Sequence, residues 1–262
     1  RRRMAVVAAS TVLFSLFSAG FETIVPLWVT QDLGYTAAQW AALRSLRFWG
    51  VFLGVIVLGA LSDRFGQRLL GALCMLGAAG ALIAFWINGK AVIWILMPCY
   101  GTLMSTAFVN MNTLTQAISQ RRQGMANTIY RAAGAGASIV APAAATWLGA
   151  SFGGYPPVFG VFAALLVAAA VVLLRYPGET TPPALGHWRD EVTRLGRGYL
   201  TALRQRPLMA FIWLSLIWGS LLGGVGAFFA IYFADPAYHI AQSDETYGQL
   251  LSLTGILTLA AT

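Results

Sequence analysis

Apolar residues run through this chain in blocks of about 20, each closed by a short polar or charged turn, the rhythm of helices that cross a bilayer. Helices are expected at 4–30, 36–60, 69–87, 91–119, 124–152, 156–174 and 208–233, and an eighth starts near Tyr247. That last block reaches Thr262 without a cap, charge or turn, and the chain opens on Arg1, so both ends read as cut. Residues 176–206 interrupt the rhythm with Pro-Gly, Thr-Thr-Pro-Pro and a charged stretch. The organisation expected is a first six-helix bundle over 1–175, a linker over 176–206, and helix 7 with the start of helix 8 over 207–262. Inside the linker, Trp188, Val192, Leu195, Tyr199 and Leu203 recur at helical spacing, which suits a helix lying on headgroups. Gly196 and Gly198 weaken it and leave a solvated linker open as the alternative.

Composition changes the picture by excluding a soluble domain. Hydrophobic residues make up 58% and charged residues only 10%, against about 25% charge in soluble proteins. The net charge of +8 is dispersed between apolar blocks instead of gathered on one solvated face, so lipid and not nucleic acid is the expected partner. If the blocks alternate sides, the amino terminus, the turns at Asp63 and at Arg121-Arg122, and the segment after Leu174 share one side. That side carries most of the 17 lysines and arginines, while the opposite loops hold Lys90. The positive-inside tendency makes it cytoplasmic and places the chain as a multi-pass protein of the cell (inner) membrane. Arg1 to Arg3 do not open a signal peptide, because the following apolar block is too long and has no small-residue cleavage site. Cys74 and Cys99 fall at different depths of neighbouring antiparallel spans, which disfavours a disulfide.

The turn after the second block reads Gly-Ala-Leu-Ser-Asp-Arg-Phe-Gly-Gln-Arg from Gly59 to Arg68. Its charges are too costly to bury in hydrocarbon, so it faces water. Gly59, Leu61, Asp63, Arg64, Gly66 and Arg68 stand where the pattern Gly-x-Leu-x-Asp-(Arg/Lys)-x-Gly-(Arg/Lys)-(Arg/Lys) requires them, and Gln67 departs from it. The turn resembles the loop between the second and third helices of major facilitator superfamily (MFS) transporters. The resemblance implies two parallel six-helix halves that rock about a central path. It also implies that Asp63, Arg64 and Arg68 gate, making charge contacts in one state that break in the other.

Glu22 is the one acid inside a confident span, and an ionisable group at that depth is a functional candidate. It lies about 12 Å below the outer face, Arg44 at about the same depth, and Arg47 one turn deeper on the same helix face. The trio forms either an ion-pair network whose carboxylate exchanges a proton as the arginine contact opens, or a fixed staple between two helices. In the fourth span Leu103, Ala107, Met111, Leu114 and Ile118 make an apolar arc. Ser105, Thr106, Asn110, Asn112, Thr113 and Gln116 make a polar arc opposite, which needs protein or water beside it. Hydrogen bonding between helices accounts for one or two of these equally well. The resemblance puts this helix on the central path. Asn127 and Arg131 in the fifth span and Trp218 in the seventh extend the list of path candidates. Arg131 is either a gate or anion-binding residue, or a base snorkelling to the headgroups. Ala141-Pro142 is a degraded form of the Gly-Pro motif of proton-driven drug exporters.

His187 and His239 fall in loops, and no Walker loop, metal-ligand cluster or nucleophile constellation occurs, so neither a cofactor nor an enzymatic activity is expected. The reading is an MFS-type transporter moving a small organic solute, an anion or a polar neutral molecule, with protons as the hypothetical coupling ion. An exporter of amphipathic compounds is the runner-up. A multi-helix sensor or membrane-embedded enzyme is less favoured.

Overall fold

A computed structural model describes residues 2–118, 123–177 and 243–260, with scattered positions between 197 and 214. The described residues are helical and contain no strand. Helix α1 spans Arg2–Leu27 and continues through a π-turn at Trp28–Asp32. Pro26 inside α1 has no N–H to give the carbonyl of Glu22, so the helix loosens just beyond the acid. Helix α2, Ala37–Leu53, starts on a capping box in which the Gln39 N–H donates to Thr36 Oγ1 (3.3 Å) and the Thr36 N–H to Gln39 Oε1 (2.9 Å). It passes through a second π-turn, Gly54–Leu58, into α3, Gly59–Phe65. Gly66, at φ +86°, turns the chain there, a conformation that only glycine adopts without strain.

Helix α4, Gln67–Ile118, folds back on itself at Asn88 (φ −148°, ψ 46°), where Asn-Gly-Lys interrupts the apolar sequence. Its two limbs lie against each other, with a Cβ at Gly77 only 3.2 Å from Leu103. The Trp28 ring covers Gly89 at this bend, where an added Cβ would fall 2.4 Å from the indole. Helices α5 (Gln123–Phe152) and α6 (Pro156–Leu174) follow, and α7 (Asp244–Ala260) packs along α5. Most of the span read in the sequence at 208–233 and most of the 176–206 linker lie outside the described residues, as does the Arg121-Arg122 turn.

Among the described residues, four stretches are long and apolar enough to cross a membrane: Arg2–Asp32, Gln67–Ala117, Arg131–Phe152 and Pro156–Leu174. The outer surface agrees. Leu73, Leu76, Ile83, Trp86, Ile87 and Ile95 are all exposed, an apolar exterior that a protein in water does not present. Inside, α1 buries Phe14, Phe17, Phe21, Ile24 and Trp28 at three- and four-residue spacing, one stripe of the helix. Those rings meet Phe159 and Phe162 of α6 and Phe85 and Tyr100 of α4 at centroid distances of 4.6–6.5 Å. Both cysteines are free, Cys74 buried and Cys99 exposed.

Two helix seams differ in kind. Where α2 crosses the second limb of α4, Thr102 Oγ1 donates to the Gly50 carbonyl (2.8 Å), Ser105 Oγ to Val51 (3.3 Å) and Thr106 Oγ1 to Gly54 (3.4 Å). The backbones touch there because Gly50, Gly54 and Gly101 have no side chains: a Cβ at Gly50 would lie 1.9 Å from the Pro98 oxygen, and one at Gly101 2.3 Å from that of Arg47. At the α5–α7 seam a Cβ at Gly248 would lie 2.1 Å from Thr146 Oγ1. The Thr146 hydroxyl, however, bonds within its own helix, to Pro142 (3.1 Å) and Ala143 (3.2 Å).

Candidate functional site

The α2–α4 crossing fixes the position of Arg47. Its backbone oxygen rests on Gly101, and its guanidinium lies 5.8 Å from the Phe21 ring centroid and 5.6 Å from that of Tyr100. From there it donates to Glu22 of α1, an ion pair at mid-span flanked by two aromatic faces. The Glu22 side chain is still 40% exposed and that of Arg47 19%, so the pair borders open volume and not a sealed core. Arg44, whose depth matches that of Glu22 by residue counting, does not make the contact. Its guanidinium lies 5.7 Å from the Phe48 ring, and its Nε is buried with no hydrogen-bond acceptor among the described residues. Glu22 and Tyr247 of α7 are both close enough to act on Arg44 electrostatically. The cluster therefore offers a carboxylate, a paired guanidinium, a donor without an acceptor and two aromatic faces.

Elsewhere the candidates are spread out. Asn110 is buried at 1% exposure in the seam between the limbs of α4, against Gly71, and its amide nitrogen has no acceptor among the described residues. Asn112 and Thr113 are half-buried, Thr113 bonding back to Val109 (2.9 Å), and Gln116 is exposed. Ser105 and Thr106, of the same polar arc, serve the α2–α4 crossing. Arg131 is exposed on α5. Asn127 belongs to α5, but its side chain lies outside the described residues, as does all of Trp218.

In the charged turn, Gly59 opens α3 and nothing described lies within 4 Å of a Cβ placed there. Leu61 and Arg64 are half-buried, and Arg64 sits 5.8 Å from the Phe65 ring centroid. Arg68 donates to the Tyr176 carbonyl (3.0 Å) just past the end of α6, and Arg3 to that of Pro177 (2.7 Å). Both cations thus cap the negative end of α6. The Asp63 side chain is outside the described residues. Tyr100 and Phe21 escaped the sequence reading, because aromatic residues in an apolar block carry no mark that separates packing from a cation platform.

Helices that face lipid on the outside and hold an ion pair at mid-depth define a multi-pass membrane protein. The sequence profile of the Major Facilitator Superfamily matches residues 7–262, and the chain belongs to that superfamily. A D-arabinitol transporter of Klebsiella pneumoniae is 24% identical over 140 residues, which make up 51% of this chain and 32% of that protein. The aligned stretch thus spans about a third of that relative. No solved structure matches.

Proposed function

We propose that the protein of which this chain is part is a secondary transporter, moving a small polar organic solute by alternating access and coupling that movement to protons through Glu22. The observation that carries this reading is the Glu22–Arg47 pair: charges within an apolar membrane-spanning stretch, yet with the Glu22 side chain left 40% exposed. A permanent staple is best sealed from water, whereas a pair that exchanges protons or solute must remain reachable. The Arg44 Nε, buried and without an acceptor among the described residues, supplies a donor for a hydroxyl or carboxylate oxygen once the helices part, and the Arg47 guanidinium supplies more once Glu22 lets go. That donor-rich chemistry suits a polyhydroxylated neutral molecule or an anion, and a relative described as a D-arabinitol transporter supports the former. In the proposed cycle Glu22 holds Arg47 while ionised. Protonation frees the guanidinium for the solute, and release on the other side restores the pair. The Asp63 turn would face the cytoplasm of the inner membrane, with Asp63, Arg64 and Arg68 as gating residues.

The test is uptake into proteoliposomes of the full-length protein under an imposed pH gradient, using a pentitol, a sugar acid and a cationic amphipath as solutes. Glu22→Gln should abolish accumulation driven by the gradient while leaving solute counterflow. Unchanged pH-driven accumulation in that variant refutes coupling at Glu22, and preferred uptake of the cationic amphipath refutes the solute class.

A further inference from the structure

On the face where α1 ends and α7 begins, far from the Asp63 turn, four residues from three parts of the chain meet. Tyr155 stands in the turn between α5 and α6. The sequence builds that turn deliberately: Gly153 (φ 70°) and Gly154 (φ 156°) reverse the chain, with the Gly154 N–H returning to the Gly149 carbonyl (2.9 Å). Gly149 leaves room for the Tyr155 ring, since a Cβ there would lie 2.6 Å from it. Thus seated, Tyr155 donates its hydroxyl to Asp244 Oδ2 and its backbone N–H to Asp32 Oδ2 (3.3 Å). Gln31 Nε2 donates to the other Asp244 oxygen (3.2 Å). Asp244 is the first residue of α7, where the helix dipole favours its negative charge.

We infer that Tyr155, Gln31 and Asp244, with Asp32 steadying the Tyr155 turn, form a latch that holds the Asp32 face shut and must break for that face to open. The inference rests on the alternating-access reading and adds where, and by which bonds, this face closes. Asp244 is tied by hydrogen bonds to residues 89 and 213 positions away, so its contacts join α7 to the far ends of α1 and α5. Beneath the latch, Gly248 brings the α7 backbone against the Thr146 side chain and the Pro142 carbonyl oxygen of α5, and Thr146 is 1% exposed. Thr146 can meet solvent from the Asp32 face only if the latch opens and α7 leaves α5. A hydrogen bond to a charged acceptor is worth a shift of about tenfold or more in such an equilibrium.

Two measurements on the full-length protein, with Cys74 and Cys99 replaced by alanine, test this. In the first, Gln31→Cys and Asp244→Cys are joined by a cleavable bismaleimide in proteoliposomes. The cross-link should stop flux, and cleaving it should restore flux. A cross-linked protein that continues to transport overturns the latch, because the two ends then never part, and it leaves the transport reading standing. In the second, Thr146→Cys is labelled with a membrane-impermeant maleimide from the Asp32 face. Adding Tyr155→Phe should raise the labelling rate about tenfold while solute flux persists, which shows the protein still folded. Labelling unchanged by Tyr155→Phe overturns the latch. If the parent protein moves no solute at all, the transport reading fails instead, and the labelling experiment still decides whether the latch exists.

Discussion

Replacing Gly50 by alanine should loosen the α2–α4 crossing and, with it, the seat of Arg47. The new Cβ would lie 1.9 Å from the Pro98 oxygen and 2.7 Å from the Pro98 carbonyl carbon, which are backbone atoms that cannot rotate away. To reach the 3.4 Å of ordinary contact, the helices must part by roughly an ångström and a half. The cross-helix bonds from Thr102 (2.8 Å), Ser105 (3.3 Å) and Thr106 (3.4 Å) would then stretch beyond reach. Each is worth about 0.6 kcal/mol in a membrane protein, and each hydroxyl keeps an acceptor in its own helix, so their loss adds under about 2 kcal/mol. Overpacking contributes about 1–3 kcal/mol more. The sum, about 3–5 kcal/mol, should lower the melting temperature of the detergent-solubilised protein by about 6–20 °C. Gly80→Ala is the control: the position is helical, nothing described lies within 4 Å of its added Cβ, and alanine is the better helix former. Equal melting of Gly50→Ala and the parent, or an equal fall in Gly80→Ala, would refute the steric account of the crossing.

The turn at Gly66 offers a second expectation. Gly66→Ala forces a side chain into φ +86° and should cost about 1–2 kcal/mol in denaturant titrations, with Gly66→Asn milder. Equal stability of the alanine variant and the parent would show that the turn relaxes freely. The third concerns pH. Burial, followed by the adjacent Asp244 and Asp32 carboxylates, pushes the Tyr155 phenol well above its ordinary value. A raised folded-state value means that the neutral phenol's contribution is fully present below the unfolded value near 10 and is lost only as pH passes the higher folded one. Labelling of Thr146→Cys from the Asp32 face, divided at each pH by that of a freely exposed cysteine so that thiol ionisation cancels, should therefore stay flat between pH 7 and pH 10. A rise centred near pH 10 would show that Tyr155 titrates as an ordinary exposed phenol.

The elements were legible where the chain carries local punctuation. Thr36 and Gln39 mark the start of α2 with a capping box, Asn88-Gly89-Lys90 breaks the α4 hairpin, and Pro156 opens α6. Ser243, Asp244 and Glu245 form an equally plain helix start, three residues before the tyrosine at which residue counting places it. Side-chain partners were less legible, because counting along ideal straight helices fixes depth and not tilt. That counting sets Glu22 level with Arg44. The loosened end of α1 beyond Pro26 and the close crossing at Gly50 and Gly101 instead bring Arg47 to the acid. A helical wheel likewise groups Asn110 with Thr113 and Gln116, but it cannot say that Gly71 of the preceding limb leaves a slot that Asn110 fills. Tyr155 and Asp244 are 89 residues apart, and no local pattern announces such a meeting.

The hydroxyl of Thr146 has consequences for how the parts of this molecule can separate. Because it is satisfied by Pro142 and Ala143 of its own helix, pulling α7 away exposes no orphaned donor at that point, and the strip behaves as a greased bearing. The two threonines and one serine of the α2–α4 crossing, besides their acceptors in their own helix, reach across to the neighbouring backbone and act as rivets. Residues of the same chemical type thus set which joints of the bundle are welded and which are built to slip.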